Sequence, residues 1–210
     1  MNLDGYHMKY QDLVIKDGKF IGEFEKMYQL FEDPWNQTKE GYVENSISRQ
    51  IVVNYIKSFG LKSIIEYGCG LGKTVNFIYQ NTGINILGID ISETSITKSK
   101  EKYPNLKFKA DDILNIENYP EYDCYFFSEI TWYLLEDKML DKVFEVMSNK
   151  LKGKYLIHNL VFYKGQQKYG TGYFTNLDEF IKFCPFDLLG RVEIDIKHSD
   201  TIETSTIFKI

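Results

Sequence analysis

Ser63-Ile64-Ile65-Glu66-Tyr67-Gly68-Cys69-Gly70-Leu71-Gly72 decides the fold of this chain. A short apolar run ends in an acid, Glu66, and glycines follow at alternate positions 68, 70 and 72. The next residues, TVNFIYQNTG, read as a helix. The pattern is a buried strand, a tight turn and a helix N-terminus. Glycine serves where φ is positive or where a ligand must approach the backbone closely. The helix start presents free N–H groups to whatever lies there. Such a turn suits a nucleotide-type ligand.

The spacing separates this turn from two look-alikes. A phosphate-binding P-loop has four residues between its first glycine and a Gly-Lys-Thr end. Gly72-Lys73-Thr74 is present, but position 67 is Tyr, so the loop is too short to wrap phosphates. The dinucleotide fingerprint is G-x-G-x-x-G; here the order is G-x-G-x-G and position 73 is Lys. Glu66 would repel a pyrophosphate and would suit a cationic ligand group.

Outward from the turn, strand and helix patterns alternate. Strands are predicted at 63–67, 84–89, 106–109, 122–127 and 154–160, and helices at 73–81, 93–102, 136–150 and 176–184. This alternation predicts an α/β fold, a doubly wound, Rossmann-like, mostly parallel sheet. Residues 191–198 and 203–210 have no helix between them and predict an antiparallel hairpin at one edge. Residues 1–60 show no strand pattern. Helices are predicted there at 22–32 and 44–58, broken by Asp33-Pro34-Trp35. The expected organisation is a helical lid over 1–60 and a ligand-binding body over 61–210.

Ligands of such sheets bind beyond the carboxyl ends of the strands. Those ends carry Glu66, Asp90, Asp111-Asp112, Ser128-Glu129 and His158-Asn159. Asp90 lies 22 residues after Gly68, and an acid about 20 residues past the turn accepts hydrogen bonds from ribose hydroxyls. Asp111-Asp112-Ile113 can meet an adenine, the acid accepting from its amino group and the next backbone N–H donating to its ring. Glu129 closes a very apolar strand, where a charge needs a partner.

The composition bounds the rest. The chain has 210 residues, 43% apolar, and a net charge of −5 without a block of like charge. A duplex nucleic-acid binder would carry a basic face. No apolar run approaches the ~18 residues of a membrane span, and the N-terminus lacks the apolar core of a signal peptide. A cytoplasmic protein acting on a small molecule is expected, its oligomeric state left open. Cys69, Cys124 and Cys184 show no metal spacing and read as reduced thiols.

EYGCGLG, then GIDIS, ADDIL and YDCYFFSEITWYL, with the closing hairpin, resemble a class I S-adenosylmethionine-dependent methyltransferase over roughly residues 40–210. Asp33-Pro34-Trp35 and the SEITWYL segment resemble the nodulation N-methyltransferase (NodS-like) group, with Trp132 in place of that group's first Tyr. The group includes enzymes acting on sugar amines, and similar proteins modify bacterial capsule polysaccharide, some at a phosphoramidate. The resemblance therefore implies N- or O-methylation of a small molecule with S-adenosyl-L-methionine as cofactor and no metal. It implies cofactor contacts from Glu66, Gly68, Cys69, Gly70, Gly72, Asp90, Ile91, Asp111, Asp112, Ile113 and Ser128. Glu129 and His158 are the candidate bases. Trp35, Trp132, Tyr133, Tyr169 and Tyr173 are candidate substrate contacts, and Tyr6, Tyr10 and Tyr28 candidate lid residues. Arg49 reads as a clamp for an anionic substrate or as a surface ion pair. Two other classes compete: a nicotinamide-dependent oxidoreductase, disfavoured by the glycine spacing and Glu66, and a non-catalytic cofactor-binding protein, disfavoured by the intact acids.

Overall fold

The computed structural model describes residues 8–16 and 19–210; Tyr6 lies outside them. The N-terminal segment holds a two-residue strand pair, β1 (Ile15–Lys16) with β2 (Lys19–Phe20), then helix α1 (Phe24–Leu30). Helix α2 (Ile47–Ser58) leads into β3 (Ser63–Tyr67), α3 (Lys73–Thr82), β4 (Asn85–Asp90), α4 (Glu93–Lys102) and β5 (Lys107–Ala110). Then come β6 (Cys124–Ser128), α5 (Met139–Lys150), β7 (Tyr155–Tyr163), α6 (Leu177–Phe183), β8 (Asp187–Asp195) and β9 (Thr201–Lys209).

The sheet runs β5-β4-β3-β6-β7-β9-β8, parallel from β5 to β7 and antiparallel on both sides of β9. The doubly wound reading of the sequence therefore holds. The closing hairpin begins earlier than its predicted strands, and its last strand lies inside the sheet. The reason is in the side chains. Residues 204–208 of β9 are buried throughout, whereas β8 alternates and carries Arg191, Glu193 and Asp195, as an edge strand should.

Strand order reverses between β3 and β6, so the ends of those two strands frame a crevice. Both sheet faces are covered. Ile65, Tyr67, Tyr125, Phe127 and Leu156 pack on the α5 side. Ile64, Val75, Phe126, Ile157 and Ile207 pack on the α2–α4 side. A strand buried on both faces reads as a continuous apolar run, and CYFF does so. Two predictions needed correction. The strand pair β1–β2 is too short to leave a sequence signal. The helix predicted from 136 starts at Met139, because Asp137 and Lys138 have φ of 53° and 55°.

The N-terminal segment lies over the glycine turn. Leu13, Val14, Met27, Tyr28 and Leu71 form a third small core, with Tyr10 and Trp35 against it. Polar ties fix the segment to the body. The Glu25 carboxylate accepts from Ser92 Oγ at 2.7 Å, Thr94 Oγ1 at 2.6 Å and Thr94 N at 3.2 Å. These contacts cap α4 from outside its own chain segment, where negative charge is favoured. Lys98 Nζ donates to the carbonyls of Tyr28 and Phe31.

Hydrogen bonds from Thr94 and Ser92 hold the Glu25 carboxyl down at about 2, against 4.5. Its contribution is therefore full above pH 4.5 and is lost as pH falls towards 2. Glu25→Ala should raise amide exchange in α1 at pH 7 while β3, β4 and β6 keep their protection. Acidification of the wild type should do the same. Unchanged α1 exchange in the variant would show that the apolar contacts alone hold the segment.

Candidate active site

The turn after β3 is built by backbone demands at two glycines. Gly68 has φ +74°, and a Cβ there would overlap Cγ2 of Ile130. Gly70 has φ +51°, and a Cβ would overlap the Gln37 amide and the Tyr28 hydroxyl. Gly68 lines a cavity of about 480 Å³ at the C-terminal end of the sheet. Pockets of that size take small-molecule ligands. Cys69 and Gly72 turn away from it. Cys69 is buried in the α2–α4 core, where burial pushes its thiol well up and keeps it protonated. Gly72 packs against the Phe108 ring, so its smallness serves helix–strand contact.

The acids at the strand ends do different work. Asp90 lines the cavity; its Oδ2 accepts from Gly70 N at 2.9 Å and its Oδ1 from Ser92 N at 3.0 Å. Each oxygen keeps a second lone pair for a ligand. Ile91 beside it lines the cavity and is 58% exposed, an apolar face offered to a ring. Asp111 also lines the cavity, but its carboxylate takes hydrogen bonds from Tyr119, Lys109, Asn115 and Asp112 N. Burial raises its pKa, and these bonds together hold it well below the usual range. Asp111 is thus a structural anchor. Asp112 and Ile113 remain the pair that can read a base there, both lining the cavity.

At the β3–β6 reversal lie Glu66, Arg49, Ser128 and Glu129. Arg49 is not at the surface: its side chain is 9% exposed and lines the cavity. Its Nε donates to Thr74 Oγ1 at 3.2 Å, one terminal nitrogen to Ser46 Oγ at 3.2 Å, and the other to Glu129 Oε1 at 3.3 Å. Tyr42 lies against the guanidinium, 5.4 Å from ring centre to its carbon. Glu129 has φ 61°, which aims its side chain at the cavity, and it is 36% exposed. Its N–H donates to the Asn159 carbonyl at 3.1 Å, which holds that conformation. Ser128 lines the same wall. Glu66 is fully buried behind it, its Oε2 without a protein hydrogen bond among the described residues.

The opposite wall comes from the N-terminal segment: Phe20, Phe24, Tyr28, Trp35, Gln37 and Tyr42. Tyr133 meets Phe20 and Phe24 edge-on, each at 5.1 Å between ring centres. Trp35 and Tyr133 are therefore where the sequence reading places them. Four other candidates are not. His158 is fully buried on the α6 side, its Nε2 2.6 Å from Thr131 Oγ1 and its ring stacked 4.0 Å from that of Phe180. Burial pushes it down to about 3, so it stays neutral and away from the cavity. Alternation along β7 sends its side chain to the face opposite Glu66. Trp132 donates to the Val161 carbonyl and packs on Phe162 and Phe174. The Tyr173 hydroxyl donates to the Leu135 carbonyl at 2.6 Å. Tyr169 touches Phe20 from outside and does not line the cavity.

Sequence reasoning missed Phe20, Phe24, Gln37, Tyr42, Glu136 and Asp137 as lining residues. It also set Arg49 aside. Its one signal was rarity: Arg49 and Arg191 are the only arginines, and arginine suits a buried, multiply bonded cation better than lysine.

Comparison with known proteins agrees with this geometry. Residues 64–154 match the family model of a methyltransferase domain. A protein of Invertebrate iridescent virus 6, provisionally called methyltransferase 235L, is 35% identical over 95 residues, 42% of this chain and 35% of that one. The match thus spans about a third of that relative's length. N-methyltransferase NodS of Bradyrhizobium japonicum WM9, solved with S-adenosyl-L-homocysteine, has the same fold (TM-score 0.67, 17% identity, 85% of this chain and 92% of that). PH0226 of Pyrococcus horikoshii OT3 is similar (TM-score 0.65, 16% identity, 89% and 99% coverage). So is an S-adenosylmethionine-dependent methyltransferase of Clostridium acetobutylicum (TM-score 0.62, 15% identity, 87% and 98% coverage).

Burial pushes the Glu66 carboxyl up to about 8, against the opposing pull of Arg49. A raised carboxyl favours the folded state below its ordinary 4.5 and loses that advantage as pH rises through 8. The ligand-free protein should therefore lose stability between pH 5 and 8.5 in urea unfolding. Glu66→Gln should flatten that slope; an unchanged slope would assign it to other groups.

Proposed function

We propose that this chain, the carrier of a class I methyltransferase domain, transfers the methyl group of S-adenosylmethionine to an amine of a small polar molecule. The observation that carries the reading is the cavity's charge. Among the described residues its lining acids are Asp90, Asp111, Asp112, Glu129, Glu136 and Asp137, and Arg49 is the only Lys or Arg. Such a site suits a cationic ligand without phosphates and disfavours a pyrophosphate cofactor.

The donor set fits S-adenosylmethionine. Asp90 would take the ribose hydroxyls with its spare lone pairs. Asp112 and the N–H of Ile113 would read the adenine, with Ile91 on its face. Gly68, lacking a Cβ, would admit the amino-acid end, and the Glu66 carboxyl, with one oxygen unpartnered among the described residues, would serve its ammonium. Bound there, the sulfonium supplies an activated methyl group whose carbon–sulfur bond breaks as the acceptor nitrogen bonds to carbon.

The chain's own tasks are to orient, exclude water and take a proton. Glu129, facing the cavity, would hold the acceptor's ammonium and accept the proton that the nitrogen loses. Phe20, Phe24, Trp35 and Tyr133 would pack against the acceptor's body and its developing cation. Residues 8–46 would act as the lid, and the remainder as the cofactor-binding body. Alignment contributes most, about 7–11 kcal/mol in favourable cases. Amino sugars of a surface polysaccharide fit an amine presented on a flat, hydroxylated body. This joins the NodS likeness to the aromatic wall.

S-adenosylhomocysteine should raise the melting temperature, because a ligand of the folded state stabilises it by mass action; NAD should not. Stabilisation by NAD alone would end the reading. Asp90→Ala should weaken S-adenosylhomocysteine by about 1–3 kcal/mol, and unchanged affinity in a folded variant would make Asp90 a scaffold residue only.

Glu129→Gln should leave that affinity within about threefold and lower turnover on an amine acceptor by about 10²-fold. Full turnover would leave alignment as the whole of catalysis.

A further inference from the structure

Gln37 sits at the glycine turn with half of its amide committed. Its Oε1 accepts from Leu71 N at 2.8 Å, which fixes which end of the amide is oxygen. The residue lines the cavity, and its Nε2 makes no hydrogen bond to protein among the described residues. The loop that carries it is held independently of any ligand. Asp33 accepts from Gln37 N at 2.8 Å, Thr38 N at 2.7 Å and Thr38 Oγ1 at 2.6 Å. Gly70 leaves room for the amide where any other residue would overlap it.

The row of strand ends fixes which part of a ligand lies below Gln37. The order β5-β4-β3-β6 places Asp112, Asp90, the glycine turn and Glu129 in line. With the base at β5 and the ribose at β4, the amino-acid end falls at β3. Its carboxylate needs donors in a cavity rich in acids. Arg49, the one Lys or Arg lining it among the described residues, is already spread over Thr74, Ser46 and Glu129. Gln37 lines the cavity and has two N–H groups without a protein hydrogen bond among the described residues.

We propose that Gln37 is the specificity residue for the carboxylate of the cofactor's amino-acid end, clasping it with Nε2 while Oε1 holds the turn. The inference rests on the S-adenosyl reading of the cavity. It makes the N-terminal segment part of the cofactor site as well as a cover. The ligand end that carries the carboxylate then strengthens docking of that segment, and adenosine alone does not.

Calorimetric titration with two probes tests this. S-adenosylhomocysteine has the amino-acid end and 5′-methylthioadenosine lacks it. Gln37→Glu keeps an oxygen for Leu71 N and puts an acceptor where the donor was. It should weaken S-adenosylhomocysteine by tenfold or more and methylthioadenosine by less than threefold. Gln37→Met, which loses both contacts, should show the same preference between ligands. Equal losses for both probes would mean that Gln37 only shapes the segment, and unchanged S-adenosylhomocysteine affinity would mean that it touches nothing; either overturns the proposal. An Arg49→Met variant with the selective loss, beside a silent Gln37→Glu, would move the carboxylate to Arg49. Failure of the wild type to bind either probe would instead overturn the S-adenosyl reading itself.

Discussion

The Asp90 carboxylate joins the two turns on which the site is built. One oxygen takes the Gly70 N–H and the other the Ser92 N–H, so the turn after β3 and the turn after β4 share a single acid. Burying a carboxylate is costly unless hydrogen bonds replace water. Burial raises the Asp90 pKa, and those two backbone donors oppose it. The network continues outward. Ser92 Oγ accepts from Ser95 N to cap α4 and donates to Glu25 of the N-terminal segment. Ser99 Oγ donates to the Gly70 carbonyl at 2.9 Å. Turn, helix and cover are therefore braced by one chain of contacts centred on a group that also faces the cavity.

Much of this was legible because it is local. Glycines at alternate positions after an apolar run encode the turn, and acids at strand ends follow from the alternation of elements. Positions 90, 112 and 129 needed only their own neighbourhoods to be placed. What the sequence hid depends on distant partners. Glu25 bonds to residues 67 and 69 positions away, and Gln37 to one 34 away. Nothing local marks either as more than a polar residue of a helical or looped segment. The misplaced candidates share a different cause. His158 and Asn159 lie in the middle of β7, which runs three residues past its predicted end, and only the pairing register says which face each side chain takes. Trp132 and Tyr173 carry aromatic rings that a substrate could use equally well, but the α5–α6 core and the Leu135 carbonyl claim them. Cys69 and Gly72 belong to the motif for packing reasons and do not touch the cavity.

The Arg49–Glu129 pair shows how the chain keeps a charge facing the cavity without neutralising it. A single 3.3 Å contact joins the two, longer than the usual charge-assisted hydrogen bond. Arg49 is restrained by Thr74 and Ser46, and Glu129 by its backbone bond to Asn159. Each group is thus placed by its own element, and the second Glu129 oxygen has no protein hydrogen bond among the described residues. A carboxylate held by its backbone can meet a cationic group without first breaking a tight ion pair. The strain of a positive φ at a non-glycine residue is the physical price of that aim.

Closure ties the same atoms to two tasks. The N-terminal segment reaches Leu71 N, Ser92 Oγ and Thr94, groups of the very turns that shape the ligand site. Were the segment to lift, these donors would return to water and the cavity would lose its aromatic wall. With the segment down, its aromatic side chains wall the cavity, and charge interactions there strengthen as the local dielectric falls. The ties are mostly polar and part-exposed, apart from the small core around Met27 and Tyr28. A segment held this way opens locally at lower free energy than the sheet.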